Sequence, residues 1–250
     1  MTASLTLAVI GGTGLDQLPE LRIIDRVKVD TPYGAPSAAV SIGELRERRV
    51  AFLARHGDDH RLPPHKVNYR ANLWALHSLG VKRVLAVAAV GGISSEMRPA
   101  RLAFPDQVID YTWGREHSYA DGSTDHVEHV EFTEPYTAAL RERCIAAART
   151  LKLDAVETGV YGATQGPRLE SPAEIRRMAR DGCDLVGMTG MPEAALAREL
   201  GLHYACCAVV VNWAAGVGAG DIHAEIETCI DEGMGKIRRL LETLVPELAI

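Results

Sequence analysis

Residues 8–18 read AVIGGTGLDQL, an apolar run that stops abruptly in a cluster of glycines. The run shows no polar alternation, so it predicts a strand buried on both faces, as in sheets covered by helices on either side. Gly11, Gly12 and Gly14, with Thr13 among them, predict a tight turn at the end of that strand. Further apolar and β-branched runs predict strands at 50–54, 84–90, 107–111, 156–163 and 204–211. Helical spacing over 66–79, 136–151, 172–181, 192–200 and 224–244 places helices between several of them. Strands that alternate with helices in this way predict an α/β fold of three layers, α/β/α.

The chain has 250 residues, 47% of them hydrophobic, and no linker or repeat divides it, so a single domain over 1–250 is expected. A net charge of −6 with both signs scattered disfavours nucleic acid and anionic membranes as partners and leaves a small molecule as the expected ligand. No apolar stretch approaches the roughly 20 residues of a spanning helix, and the first residues lack the features of a signal peptide, so a cytoplasmic location is expected. The five cysteines form no CxxC pair and fall mostly in apolar segments, which predicts reduced core residues and neither disulfides nor a zinc site. The stretch 114–134 has no clear periodicity and is read as a site or interface loop.

Three groups of residues carry chemistry. The GGTG turn offers converging backbone amides and the Thr13 hydroxyl, suited to an anion, although a plain strand-to-helix turn has the same composition. It lacks the P-loop lysine and the full spacing of a dinucleotide fingerprint, which disfavours ATP and NAD. Arg55 and His56 leave a strand end together, a guanidinium beside an imidazole that suits a phosphate dianion. The triplet Arg55-His56-Gly57 also matches the nucleophile motif of histidine phosphatases, in which His56 would be phosphorylated, although those enzymes carry it after their first strand. A metal site on His56, Asp58, Asp59 and His60 is disfavoured, because these ligands are packed into one short loop. In the third group, Glu170 precedes a helix opened by Ser171 and Pro172, while Thr189 follows another strand end. Taken singly, Glu170 reads as a surface or capping carboxylate and Thr189 as an N-cap. Binding sites in open α/β sheets collect at strand ends, however, and Thr13, Arg55, His56, Thr189 and Asn212 all stand there.

The strings GGTGLD (11–16), DTPYGAPS (30–37), ARHG (54–57) with HKVNYRANLWAL (65–76), TQGPRLES (164–171) and MTGMPEAALARELG (188–201) occur in an order and spacing that resembles the trimeric purine nucleoside phosphorylase and methylthioadenosine phosphorylase family. The resemblance runs from about residue 8 to the C-terminal helix. It implies the nucleoside phosphorylase fold with a mixed sheet, a homotrimer, no metal or organic cofactor, and inorganic phosphate as co-substrate. It also implies phosphate binding by Thr13, Arg55, His56 and Thr189. Where members of the family often carry a hydroxyl in the neighbouring strand end, this chain reads VAAVGG, so Ala88 offers only backbone. The reaction so implied is phosphorolysis of an N-glycosidic bond through an oxocarbenium-like transition state, with charge developing on the leaving purine. His56 and Asn212 are the catalytic candidates.

Within that resemblance the strand end VVVNWAAGV (209–217) reads the base. The adenine-specific branch resembles DYD there, whereas this chain has Asn212, Trp213 and Ala214. An amide donates to O6 and accepts from a protonated N7, while a carboxylate facing a 6-oxo group would oppose acceptor to acceptor. An asparagine also pairs with adenine, so the second reader, Glu170, is needed: it accepts from N1–H, a donor that adenine lacks. A 6-oxopurine is therefore expected. The N-terminal half is closer to the methylthioadenosine branch, so the expected substrate is 5′-methylthioinosine, with Met188 beneath the ribose. Inosine or guanosine is the alternative, through His223 on a 5′-hydroxyl, and 5′-methylthioadenosine a more remote one. His129, in the aperiodic stretch, is a candidate for a neighbouring subunit's 5′ pocket. A nucleotide-binding module without turnover remains an alternative of a different kind.

Overall fold

The computed structural model describes residues 4–15, 18–122 and 129–248. Among these the strands are β1 (Leu7–Gly11), β2 (Arg22–Val27), β3 (Val40–Leu45), β4 (Arg48–Ala54), β5 (Arg83–Gly92), β6 (Leu102–Ala103), β7 (Gln107–Asp110), β8 (Ala155–Val156), β9 (Val160–Ala163), β10 (Leu185–Gly187) and β11 (His203–Trp213). The helices are α1 (Tyr69–Ser78), α2 (Ala138–Thr150), α3 (Pro172–Arg180), α4 (Gly190–Glu199) and α5 (Ile222–Glu247).

The glycine-terminated run at the N-terminus becomes β1, every residue of which is buried. Successive side chains point to opposite faces of a strand. Ala8 and Ile10 therefore join a core with Leu73 and Leu76 of α1 and Ala194 and Leu196 of α4. Leu7 and Val9 join a second core with Leu140 and Cys144 of α2 and Ile237 and Leu241 of α5. Two cores on opposite faces of one sheet give the three-layer α/β/α architecture that the apolar runs predict. All five cysteines are free, and only Cys229 is not fully buried. Among the described residues no helix is long and apolar enough to cross a membrane.

The sheet is mixed. Strand β5 pairs in parallel with β1 over Val84–Ala86, in parallel with β11 along its whole length, and antiparallel with β10 at Gly91 and Gly92. Because β11 takes one edge of β5 throughout, β1 and β10 must share the other. Between them Val87–Val90 has no strand neighbour on that edge among the described residues, and the sheet opens there.

Two features depart from the sequence reading. The expected strand at 156–163 is divided into β8 and β9 by Gly159, which lies at φ +152° in a region that disfavours side chains. The antiparallel strands β2 and β3, and the two-residue β6, are not expected from the sequence. β2 lies at the end of the sheet with nearly all its residues exposed, so its sequence RIIDRV carries no burial pattern. The expected helix from 192 is realised with Gly190 and Met191 ahead of it, Met191 being extended at φ −123°, ψ 142°, so regular helix starts at Pro192.

Candidate active site

The opening beside β5 is the floor of a cavity of about 380 Å³. Thr13 enters it from the turn after β1, Arg55 and His56 from the end of β4, and Ala88 from the unpaired edge of β5. Met188 and Thr189 enter from the end of β10, Asn212 and Ala214 from the end of β11, and Glu170 from the turn before α3. Residues separated by up to about 200 positions thus meet because five strands or turns end at one place.

Arg55 is fully buried and already engaged. Its Nε and Nη2 each donate to the Glu193 carboxylate at 2.8 Å, and Nη1 donates to the Val87 carbonyl at 2.8 Å. That carbonyl belongs to the open stretch of β5, so the guanidinium supplies a donor that a missing strand would otherwise give. Burial works against the charge of Arg55, but the Glu193 carboxylate outweighs it and raises the pKa above its usual value. Glu193, on α4 with no exposed surface, also accepts from the Tyr204 hydroxyl at 2.9 Å. Two N–H groups of Arg55 remain for a ligand, and the close approach of Gly12 shapes their surroundings. A Cβ there would lie 2.6 Å from the Val87 carbonyl oxygen and 2.9 Å from Arg55 Nη1.

His56 is buried, with Nδ1 at 2.8 Å from the Leu62 carbonyl oxygen. A carbonyl only accepts, so Nδ1 carries the hydrogen and Nε2 holds a lone pair. Burial first, and the neighbouring Arg55 second, lower its pKa from 6.5 to about 4. The imidazole is neutral at pH 7 and can accept from a phosphate hydroxyl.

At the turn before α3, Glu170 accepts from the Thr164 hydroxyl at 2.5 Å. The cap of α3 is Ser171, which forms a reciprocal box with Glu174, so Glu170 is not spent on capping. Thr189 likewise makes no side-chain capping bond to α4. A bulge between Val210 and Asn212 shifts the register of β11 against β5 and re-aims Asn212. Its Nδ2 donates to the Trp213 carbonyl at 2.7 Å, which leaves Oδ1 and one N–H for a ligand.

Three candidates do not line the cavity. Trp213 follows Asn212 on a strand and points the other way, with its ring against the turn at Gly218; its backbone N–H donates to Glu225 at 2.8 Å. His223 is exposed at the start of α5, where Ile222 and Ile226, four residues apart, turn toward the cavity instead. His129 is exposed and outside the cavity in this chain. Leu62, Pro63 and Pro64, which follow His56, add to the apolar wall, with exposed His60 and Arg61 beside them. Among the described residues no group of His, Cys, Asp and Glu is arranged to hold a metal ion.

Sequence reasoning missed Thr164, Glu193 and Tyr204. A carboxylate inside the apolar segment MPEAALA was a usable signal for Glu193, because a buried acid needs a partner. Nothing local distinguishes Thr164.

A family model described as the phosphorylase superfamily matches residues 6–246. A probable S-methyl-5′-thioinosine phosphorylase of Xanthomonas campestris is 56% identical over 96% of this chain and 97% of that protein. A 6-oxopurine nucleoside phosphorylase of Pyrococcus furiosus is 43% identical over 96% of this chain and 92% of that protein. The solved structure of methylthioadenosine phosphorylase from Schistosoma mansoni in complex with adenine superposes with a TM-score of 0.91 at 30% identity, covering 98% of this chain and 92% of that one.

Proposed function

Because this chain belongs to the phosphorylase superfamily, we propose that it catalyses phosphorolysis of S-methyl-5′-thioinosine to hypoxanthine and 5-methylthioribose 1-phosphate. A phosphate oxygen bonds to C1′ while the C1′–N9 bond breaks, and the electron pair of that bond leaves with the purine. The reaction needs phosphate held against the anomeric carbon and a partner for the charge that builds on the base. Thr13, Arg55, His56 and Thr189 hold the phosphate, with neutral His56 accepting its hydroxyl hydrogen. The departing purine anion takes up a proton at N7 from solvent; Asn212 accepts from that N7–H through Oδ1 and donates its remaining N–H to O6. Glu170, oriented by Thr164, accepts from N1–H. Met188 lies under the ribose.

The observation that carries this reading is the convergence of Asn212, Ala214 and Glu170 in the cavity that also holds His56 and Thr189. With Ala214 beside Asn212 no acid opposes O6, and Glu170 has no donor to meet on adenine. A site built around N1–H discriminates against a base lacking it by about 10⁴–10⁵ where the pairing is fully buried. The apolar wall of Leu62, Pro64, Ile222 and Ile226 favours a methylthio group over a 5′-hydroxyl, and His223 stands outside the cavity. The enzyme requires no metal or organic cofactor, acts in the cytoplasm and assembles as a homotrimer in which His129 approaches a neighbour's site.

Phosphate-dependent kcat/KM on methylthioinosine, methylthioadenosine, inosine and guanosine tests the reading. Methylthioinosine is expected to be the best of the four. Methylthioadenosine in first place overturns the base assignment, and inosine in first place overturns the 5′ assignment.

A further inference from the structure

Arg115 stands in the aperiodic stretch that the motifs leave unexplained, yet it is one of the few buried charged residues, 8% exposed. No carboxylate among the described residues pairs with it. Its guanidinium donates instead to two strand-end loops. Nη2 donates to the carbonyls of Thr164 at 3.1 Å and Gln165 at 2.8 Å, and Nε to the Gln165 side-chain oxygen at 3.1 Å. Nη1 donates to the carbonyls of Met188 at 2.9 Å and Met191 at 2.6 Å, and approaches the Tyr69 hydroxyl at 3.3 Å. That hydroxyl in turn donates to the carbonyl of Pro64, in the cavity wall, at 3.0 Å.

Burying a cation is costly unless its hydrogen-bonding capacity is met, and here it is met almost wholly by neutral oxygens from both loops. One loop runs from Thr164, which donates to Glu170, to Glu170 itself. The other carries Met188 and Thr189. We infer that Arg115 is a positioning residue that fixes the loop bearing the base reader relative to the loop bearing the ribose and phosphate contacts. The planar fork is what the task requires, because it reaches two directions at fixed angles. A lysine at this place keeps the charge, but its compact ammonium cannot span both loops.

The roles of Glu170 and Thr189 in this inference rest on the proposed function, so the test has two arms. In the first, amide hydrogen exchange of ligand-free Arg115→Lys is compared with wild type, a readout that requires no substrate. Exchange is expected to accelerate by about tenfold in both 164–170 and 188–191, the scale of one lost hydrogen bond to a charged group, with β1 and β4 unchanged. Equal protection in these two segments overturns the inference whatever the enzyme's substrate, and so does a rise spread evenly over the chain.

The second arm measures kcat, both KM values and the methylthioinosine to methylthioadenosine ratio. Arg115→Lys is expected to raise KM for nucleoside and phosphate and to lower the ratio by about tenfold, with partial recovery when methylguanidine is added to Arg115→Ala. A lower kcat with both KM values and the ratio unchanged marks a merely structural role and overturns the inference. If Arg115→Ala does not fold, the Arg115→Lys comparison still decides. Absence of turnover in wild type would sink the proposed function and leave the exchange arm to judge Arg115.

Discussion

Asn212 shows how much one side chain depends on its neighbours. Its sequence position marks it as a polar interruption at the tip of an apolar strand, but the geometry narrows what its atoms can do: one N–H of Nδ2 is used on the Trp213 carbonyl, which leaves Oδ1 and the second N–H on a residue that lines the cavity. Under the proposed function, Asn212→Asp exchanges a donor to O6 for an acceptor, so the methylthioinosine to methylthioadenosine ratio of kcat/KM is expected to fall by at least about tenfold. An unchanged ratio in the substrate panel would remove Asn212 from base reading. His56 makes a prediction about stability. In the ligand-free fold its pKa is held near 4, whereas the ordinary value is 6.5. Between these values the unfolded chain binds a proton that the native state refuses, so stability is present above pH 6.5 and declines as the pH falls toward 4. His56→Gln is expected to flatten the dependence of Tm on pH in that window alone, and parallel curves for the two proteins would contradict it.

At the scale of elements, the open edge of β5 does more than any single residue to make the site. Leaving Val87–Val90 without a strand on one side creates room, but it also strands a backbone acceptor, which Arg55 satisfies. That solution buries a charge, and α4 supplies the countercharge through Glu193. Removing one partner of such a pair leaves the other uncompensated, so Glu193→Ala is expected to destabilise the protein by about 3–5 kcal/mol in urea unfolding. A loss below about 1 kcal/mol, the range of exposed pairs, would show that the buried pair is not what holds the end of β4. The elements themselves were unevenly legible. Strands β1, β4, β5 and β11 are continuous apolar runs and were read directly, whereas exposed β2 gives composition nothing to register. Glu157, Thr158 and Gly159 divide the run 156–163, a polar interruption that the sequence reading passed over.

For the molecule as a whole, a homotrimer is part of the proposed function, and sedimentation equilibrium tests it. A mass three times the 27.0 kDa chain is expected, and a monomer at working concentrations would remove His129 from any neighbouring site. Continuous apolar runs, helical spacing and the glycine turn determined the α/β class, because burial on two faces imposes its pattern locally on the chain. Short motifs likewise announced Thr13, Arg55, His56, Thr189 and Asn212 as residues at strand ends and Glu170 as the residue before a helix. Only the tertiary structure decided which of them meet, that Trp213 and His223 turn away, and that Thr164, Glu193 and Arg115 hold the others in place. The physical reason is that pairing a buried charge or aiming a carboxylate depends on groups brought close by the sheet from distant parts of the chain, and no local pattern records that proximity.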